Sequence, residues 1–183
     1  MYTVFNESPQ NLSGRLQKEI NCFNLLDKLN IKFTRVEHPA AENMAVCDEI
    51  NKSLGCKICK NLLLCNRQET QFYLLMMPGD KQFKTKDLSA KLGVARLSFA
   101  KPCFMEEFLN ITPGSLSVLG LMNDKENKVR LIVDKEVFDE EYVGCHPTVN
   151  TGSLKIKCSD VFTTFCNYVK HTYTLVDLAR QEE

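Results

Sequence analysis

"KNLLLCNRQETQFYLLMM", residues 60–77, sets two apolar runs of strand-forming residues either side of the polar link Arg67-Gln68-Glu69-Thr70. Runs this short and this continuously apolar read as strands covered on both faces, and a link of this length folds one back on the other. The stretch therefore predicts a β-hairpin at the centre of a sheet, and the rest of the chain has to supply what covers it.

Upstream, Leu16, Ile20, Phe23 and Leu26 recur three or four residues apart, predicting an amphipathic helix over 15–29 with Ser13 as its N-cap. Residues 31–38 alternate Ile31, Phe33 and Val36 with polar side chains, a strand that ends at Pro39, and a second helix is expected over 45–54, stopping at Gly55. Downstream, 84–93 has helix formers closed by Gly93, 95–100 reads as extended, and 103–110 as a short helix behind Pro102. Residues 117–124 and 128–134 predict a second hairpin over Lys125-Glu126-Asn127, and Ser159 is placed as the cap of a last helix running to Lys170. The expectation is an α+β fold, a mixed, mostly antiparallel sheet with packed helices, in a single domain over residues 1–183.

Composition narrows the function classes. The chain is 44% hydrophobic and 25% charged with zero formal net charge, which suits a globular core and argues against holding long nucleic acid by phosphate neutralisation alone. No apolar run approaches the ~20 residues needed to span a bilayer, and "MYTVFNESPQ" lacks the basic and apolar regions of a secretion signal. A cytoplasmic protein with no membrane or DNA partner is expected. Nine cysteines, an odd number scattered through apolar segments, read as reduced thiols acting as small hydrophobes.

Four places could carry chemistry. Lys60 enters an apolar strand on the same face as Leu62 and Leu64, so its ammonium leaves one end of a hydrophobic surface and suits an anion; the plain alternative is a lysine snorkelling from a strand end. In "NITPGSLS", residues 110–117, Pro113 presets φ and Gly114 permits a positive one, the pairing of a type II turn. Such a turn can aim the Gly114, Ser115 and Leu116 amides at a carbonyl oxygen gaining charge, or simply reverse the chain. In "GCHPTVNTGSL", residues 144–154, Pro147 restricts His146 to extended backbone, and Thr148, Asn150, Thr151 and Ser153 offer hydrogen bonds to the backbone or to a polar ligand. Cys56 and Cys59 form a lone CxxC with no second pair at ligand spacing, and Cys145 points away from its neighbour His146 in an extended segment, so no metal, cofactor or thiol nucleophile is expected.

Taken in order, "CKNLLLCN", "RLSFA", "TPGSLSVLGLMND", "LIVD" and "GCHPTVNTGSLKI" resemble the YbaK-like aminoacyl-tRNA editing family, and within it the free-standing prolyl-tRNA editing branch of the PrdX or ProXp-ala type, over residues 16–177. The resemblance implies an α+β fold and hydrolysis of a wrong amino acid from the 3′ end of tRNA(Pro). It puts the family's strand lysine on Lys60, its loop glycine on Gly114 and its "HP" histidine on His146, as catalytic residues. Ser115, Leu116, Asn150 and Thr151 are the expected substrate-binding positions, shaping a pocket for a small side chain. Members acting on cysteinyl-tRNA(Pro) lack the late "HP" block, so its presence implies an alanyl-tRNA(Pro) deacylase. The tRNA(Pro) acceptor end is the expected partner, with prolyl-tRNA synthetase a further one, and Lys81, Lys84, Lys86 and Lys91 form a candidate basic patch. Two departures stand out. Members often carry a hydroxyl residue after the early "HP", where this chain has Asn43 and Met44, and phenylalanine before the late one, where it has Cys145. A cysteinyl-tRNA(Pro) or other aminoacyl-tRNA deacylase, and a non-catalytic module binding tRNA or synthetase, are the alternatives.

Overall fold

The computed structural model describes residues 1–40 and 44–180. In chain order its elements are β1 (Val4–Phe5), α1 (Gln17–Lys28), β2 (Phe33–Glu37), α2 (Met44–Leu54), β3 (Lys60–Cys65), β4 (Phe72–Met77), α3 (Thr85–Leu92), β5 (Ser98–Phe99) and α4 (Pro102–Leu109). There follow β6 (Val129–Asp134), α5 (Lys135–Phe138), β7 (Tyr142–Cys145), β8 (Gly152–Lys157), α6 (Cys166–Tyr168) and β9 (Tyr173–Val176). The central hairpin forms as the sequence predicts, with Lys60 opposite Met77 and Cys65 opposite Phe72. Every residue of β4 is buried, because β3 and β6 flank it and both its faces are covered.

The strands divide into two sheets, ordered β5-β3-β4-β6-β9 and β1-β2-β8-β7. Pairing is mostly antiparallel, but β6 runs parallel to both β4 and β9. The main core, with Phe23, Leu63, Leu74, Leu131, Leu154 and Phe165, brings residues of α1 together with those of both sheets. A second core, with Leu64, Leu75 and Leu88, packs α3 on the far face of the larger sheet. The sheets meet where Ile58 bridges Gly144, and any Cβ on Gly144 would lie 2.6 Å from the Lys57 carbonyl oxygen. That approach explains a glycine in the middle of β7.

Several sequence expectations are corrected. Residues 118–122 form a 3-10 turn instead of a strand, with the Ser117 hydroxyl accepting from the Leu119 amide. The Asp124 carboxylate takes the Lys128 and Val129 amides at 2.9 and 2.8 Å, so the residues read as a hairpin link instead launch β6 toward β4. Ser13 does not cap α1, whose N-cap position is Leu16 with no side-chain bond. Ser159 does hold the N-cap position of the last helical run but makes no side-chain cap bond, and that run widens into a π-turn over Asp160–Phe165. Among the described residues no helix is long and apolar enough to cross a membrane.

Candidate active site

The Pro113-Gly114 pair builds the turn its chemistry demands. The Ser115 amide donates to the Thr112 carbonyl at 3.2 Å, and Gly114 sits at φ +87°, the left-handed central position of a type II turn. The bond uses up one of the three amides expected to converge, leaving those of Gly114 and Leu116 without a partner among the described residues. The buried Ser115 hydroxyl is also spent, donating to the same Thr112 carbonyl at 2.8 Å. Substituting Gly114→Ala puts a side chain on a left-handed residue, a strain of ~1–2 kcal/mol, although the added Cβ would meet only Asn150 Nδ2 at an ordinary 3.6 Å. We expect a modest fall in Tm and a tenfold to hundredfold loss of kcat as the amide leaves its place. Thermal melts and ester-hydrolysis kinetics on that variant check both.

His146 leaves the end of β7, and its Nδ1 lies 2.8 Å from the Gly152 carbonyl at the start of β8. A carbonyl only accepts, so Nδ1 carries the proton and Nε2 of the neutral ring presents a lone pair. Burial lowers the His146 pKa below its ordinary 6.5; the Gly152 bond opposes that shift and nearby His38 adds to it. His38, after β2, has its ring centroid 6.4 Å from that of His146 and its Nε2 2.8 Å from Ser153 Oγ. The first residues of β8 are thus held between two His-Pro dipeptides. Thr148 in the connecting loop has φ +64° and is 1% exposed, a rare conformation for a β-branched residue and a sign that the loop is held by its surroundings.

Gly114, Leu116 and His146 line one cavity of about 260 Å³ with Cys59, Asn61, Leu62, Leu63, Phe99, Met105 and Pro113. It opens along β3, because β5 pairs only with Leu64 and Cys65 and leaves that edge of Lys60 to Leu62 without a neighbouring strand among the described residues. Lys60 does not line it. Strand alternation turns Lys60 to the other face of the sheet from Asn61, and its Nζ donates to the Lys81 carbonyl at 2.9 Å. Of the three groups expected in one cavity, the turn and the imidazole meet, and the lysine stands beside them.

Asn61 is the residue that sequence reasoning passed over. Its Oδ1 is buried with no hydrogen-bond partner among the described residues, while its Nδ2 reaches Cys59 O and Sγ at 3.4 Å each. The signal was a polar side chain inside the run "KNLLLC". Ser115, Asn150 and Thr151 line a second cavity of about 450 Å³ with Arg15, Glu19, Glu37 and Thr112. Thr112 and Ser115 of the Gly114 turn face this second cavity, and Asn150, which also lines it, lies beside Gly114, its Nδ2 being 3.6 Å from where a Cβ on that glycine would sit. Asn43 lies outside the described residues.

A larger cavity of about 460 Å³ holds Cys56, Cys59, Asp80, Glu136 and Arg180 but none of the expected catalytic residues. Four of its charged side chains pair with one another, Lys57 to Asp80 at 2.8 Å and Arg180 to Glu136 at 2.6 Å. Burial pushes the Cys56 and Cys59 thiols up to about 11 and about 12, far from thiolate formation at neutral pH. Burial raises the Cys145 thiol well above its ordinary value too. Among the described residues no three His, Cys, Asp or Glu side chains could hold a metal ion. Replacing Cys56 with serine is expected to leave ester hydrolysis within twofold of wild type, with or without chelator; a larger loss would move the chemistry to the thiols.

The aminoacyl-tRNA editing domain family matches residues 38–163. The chain is 29% identical to the prolyl-tRNA editing protein ProX of Acetoanaerobium sticklandii over 136 residues, 74% of this chain and 83% of that protein. It is 28% identical to prolyl-tRNA synthetase associated domain-containing protein 1 of Danio rerio, covering 86% of this chain and 84% of that one. Among solved structures, a candidate trans-editing enzyme for prolyl tRNA synthetase superposes with a TM-score of 0.67 at 15% identity, covering 91% of this chain and 99% of the other. The hypothetical protein APE2540 superposes with a TM-score of 0.62 at 13% identity, over 87% and 98% of the two chains. With a glycine turn and a histidine lining one cavity and the family match spanning residues 38–163, the chain belongs to the aminoacyl-tRNA editing domain family.

Proposed function

We propose that this protein is a trans-editing hydrolase that removes the amino acid from mischarged tRNA(Pro), with alanyl-tRNA(Pro) as the substrate. The observation that carries the reading is the convergence of the Gly114 turn and the His146 imidazole on one small cavity at the open edge of β3. An aminoacyl ester is already activated, so oriented water and a stabilised oxyanion suffice. His146 Nε2 accepts a proton as the water oxygen bonds to the ester carbonyl carbon. The free Gly114 and Leu116 amides face the carbonyl oxygen as it gains charge, a contribution of ~3 kcal/mol for one well-placed donor. The bond to the ribose oxygen then breaks, that oxygen takes a proton, and free alanine and deacylated tRNA leave.

Size supplies the selectivity. A synthetase built for proline cannot strongly reject the smaller alanine, since each missing methylene is worth only ~1–3 kcal/mol. The Gly114–His146 cavity, walled by Leu63, Met105 and Leu116, then rejects the larger ring by exclusion. Lys60, turned to the other face of β3 from Asn61 with its ammonium on the Lys81 carbonyl, would have to exchange that bond to meet the ribose or phosphate of the terminal nucleotide.

The test is to incubate the protein with Ala-, Cys-, Ser- and Pro-charged tRNA(Pro) and follow ester loss. Rapid release of alanine with the prolyl ester spared supports the reading. Preference for the cysteinyl ester would replace the substrate, and no acceleration over buffer would leave only a binding module.

A further inference from the structure

Phe99 is 61% exposed, the most exposed aromatic side chain among the described residues, yet it lines the cavity that holds Gly114 and His146. A single exposed apolar side chain is ordinary on a protein surface; what sets Phe99 apart is that its ring stands on the rim of the cavity that Gly114 and His146 line. Its position is rigidly set. Phe99 pairs opposite Leu64, the following Ala100 amide is bonded to the Leu63 carbonyl at 2.9 Å, and the Phe83 ring meets it edge-on at 6.1 Å. The ring is thus fixed at the rim of the cavity, on the side of the sheet where alternation also places Leu62 and Lys60.

The charge around it is one-sided in a chain whose formal charge sums to zero. Lys84 before α3, Lys86 and Lys91 on it and Arg96 on the segment leading into β5 are all exposed, with Asp87 the one carboxylate in residues 84–96. Lys81, counted with this patch on sequence grounds, is buried on Asp134 and plays no part in it. A protruding aromatic with cations along one side and a hydrolytic cavity on the other is the arrangement that holds single-stranded nucleic acid, with bases on the ring and phosphates on the charges. We infer that Phe99 is the platform on which the 3′-terminal base of the tRNA stacks, with Lys84, Lys86, Lys91 and Arg96 following the phosphates of the unpaired 3′ end. This rests on the proposed function and names the nucleotide side of the same site: the ester enters the cavity while its own base stays on the rim.

The probe is a short RNA hairpin ending in an unpaired 3′ CC followed by 2-aminopurine, whose fluorescence drops when the base stacks. Wild-type protein is expected to quench it, Phe99→Ala to abolish the quench, and Phe99→Trp to restore it. On aminoacylated tRNA, Phe99→Ala should lower kcat/KM by about five- to a hundredfold, chiefly through KM, as loss of one stacked base does. Replacing Lys86 and Arg96 with glutamine should weaken hairpin binding and flatten its dependence on salt. An unchanged quench in Phe99→Ala overturns the inference even if deacylation proceeds. So does a change of oligomeric state in Phe99→Ala without loss of the quench, because the ring would then cover a second copy of the chain. If wild type quenches the probe but cleaves no ester, the platform stands and the hydrolase reading falls.

Discussion

Replacing Lys81 with methionine is expected to cost about 3–5 kcal/mol of folding stability, the loss seen when one partner of a buried ion pair is removed. The Lys81 ammonium has no exposed surface and lies 2.8 Å from Asp134 Oδ2 and 2.8 Å from Glu136 Oε1; the Asp134 side chain is equally inaccessible. Burial alone would lower the Lys81 pKa, but the two carboxylates outweigh it and hold the group charged above its ordinary 10.5. Methionine fills the space and leaves the Asp134 carboxylate buried without its counter-charge. For a chain of this size the loss corresponds to a Tm lower by about 6–20 °C. A second change distinguishes charge from packing. Asp134→Asn keeps an oxygen for the Glu136 amide that Asp134 Oδ1 now accepts at 3.1 Å, so in the double variant most of the lost stability should return. Urea melts of the two single variants and the double give the coupling directly. A loss under 1 kcal/mol, or additive effects, would show that the pair is not what secures this corner. The Lys81 carbonyl also receives the Lys60 ammonium, so the single variant should loosen the lysine beside the active cavity as well.

How much of this was legible in sequence depended on where each signal lay. The 60–77 hairpin was readable because a strand buried on both faces leaves a continuous apolar run and a polar link. Residues 118–122 give an equally apolar run and deceived for that reason: Val118, Leu119 and Leu121 are all buried, so no period separates a strand from a tight helical turn. The parallel pairing of β6 with β4 and β9 was invisible, since the partner of a strand is a tertiary choice that its own residues do not announce. Strands β7 and β8 were missed because the turn-forming residues 146–151 dominate the stretch between them. At the site, the Pro113-Gly114 turn and the His146-Pro147 restriction were local and came through. Lys60 and Asn61 were separated by one residue of strand parity. Alternation put Lys60 with Leu62 but could not say which side of the sheet would carry the cavity.

His146→Ala is expected to reduce deacylation of the mischarged tRNA by a hundredfold to a thousandfold, the scale on which a placed general base acts. The effect should fall on kcat, because the imidazole lone pair meets the water and contributes to ground-state binding only through its edge. The fold should survive. The ring is half-buried, and its one polar tie among the described residues is the Nδ1–H bond to the Gly152 carbonyl at 2.8 Å, worth ~1 kcal/mol. The pH profile is the signature that a structural role would not produce. Because His146 is needed neutral and its pKa is lowered below 6.5 by burial, wild-type activity should rise with pH below that value and be level at pH 7 and above. The variant should lose that acid limb along with its rate. Stability carries the same sign: with the folded pKa below the unfolded one, protonation favours unfolding, and this contribution is lost as pH falls from 6.5 through the folded value. His146→Asn keeps a donor for the Gly152 carbonyl without a group that titrates near neutrality, and should recover the stability but not the rate. If either variant deacylates within threefold of wild type, the imidazole is a wall of the cavity, and catalysis would rest on the Gly114 turn and the intrinsic reactivity of the ester.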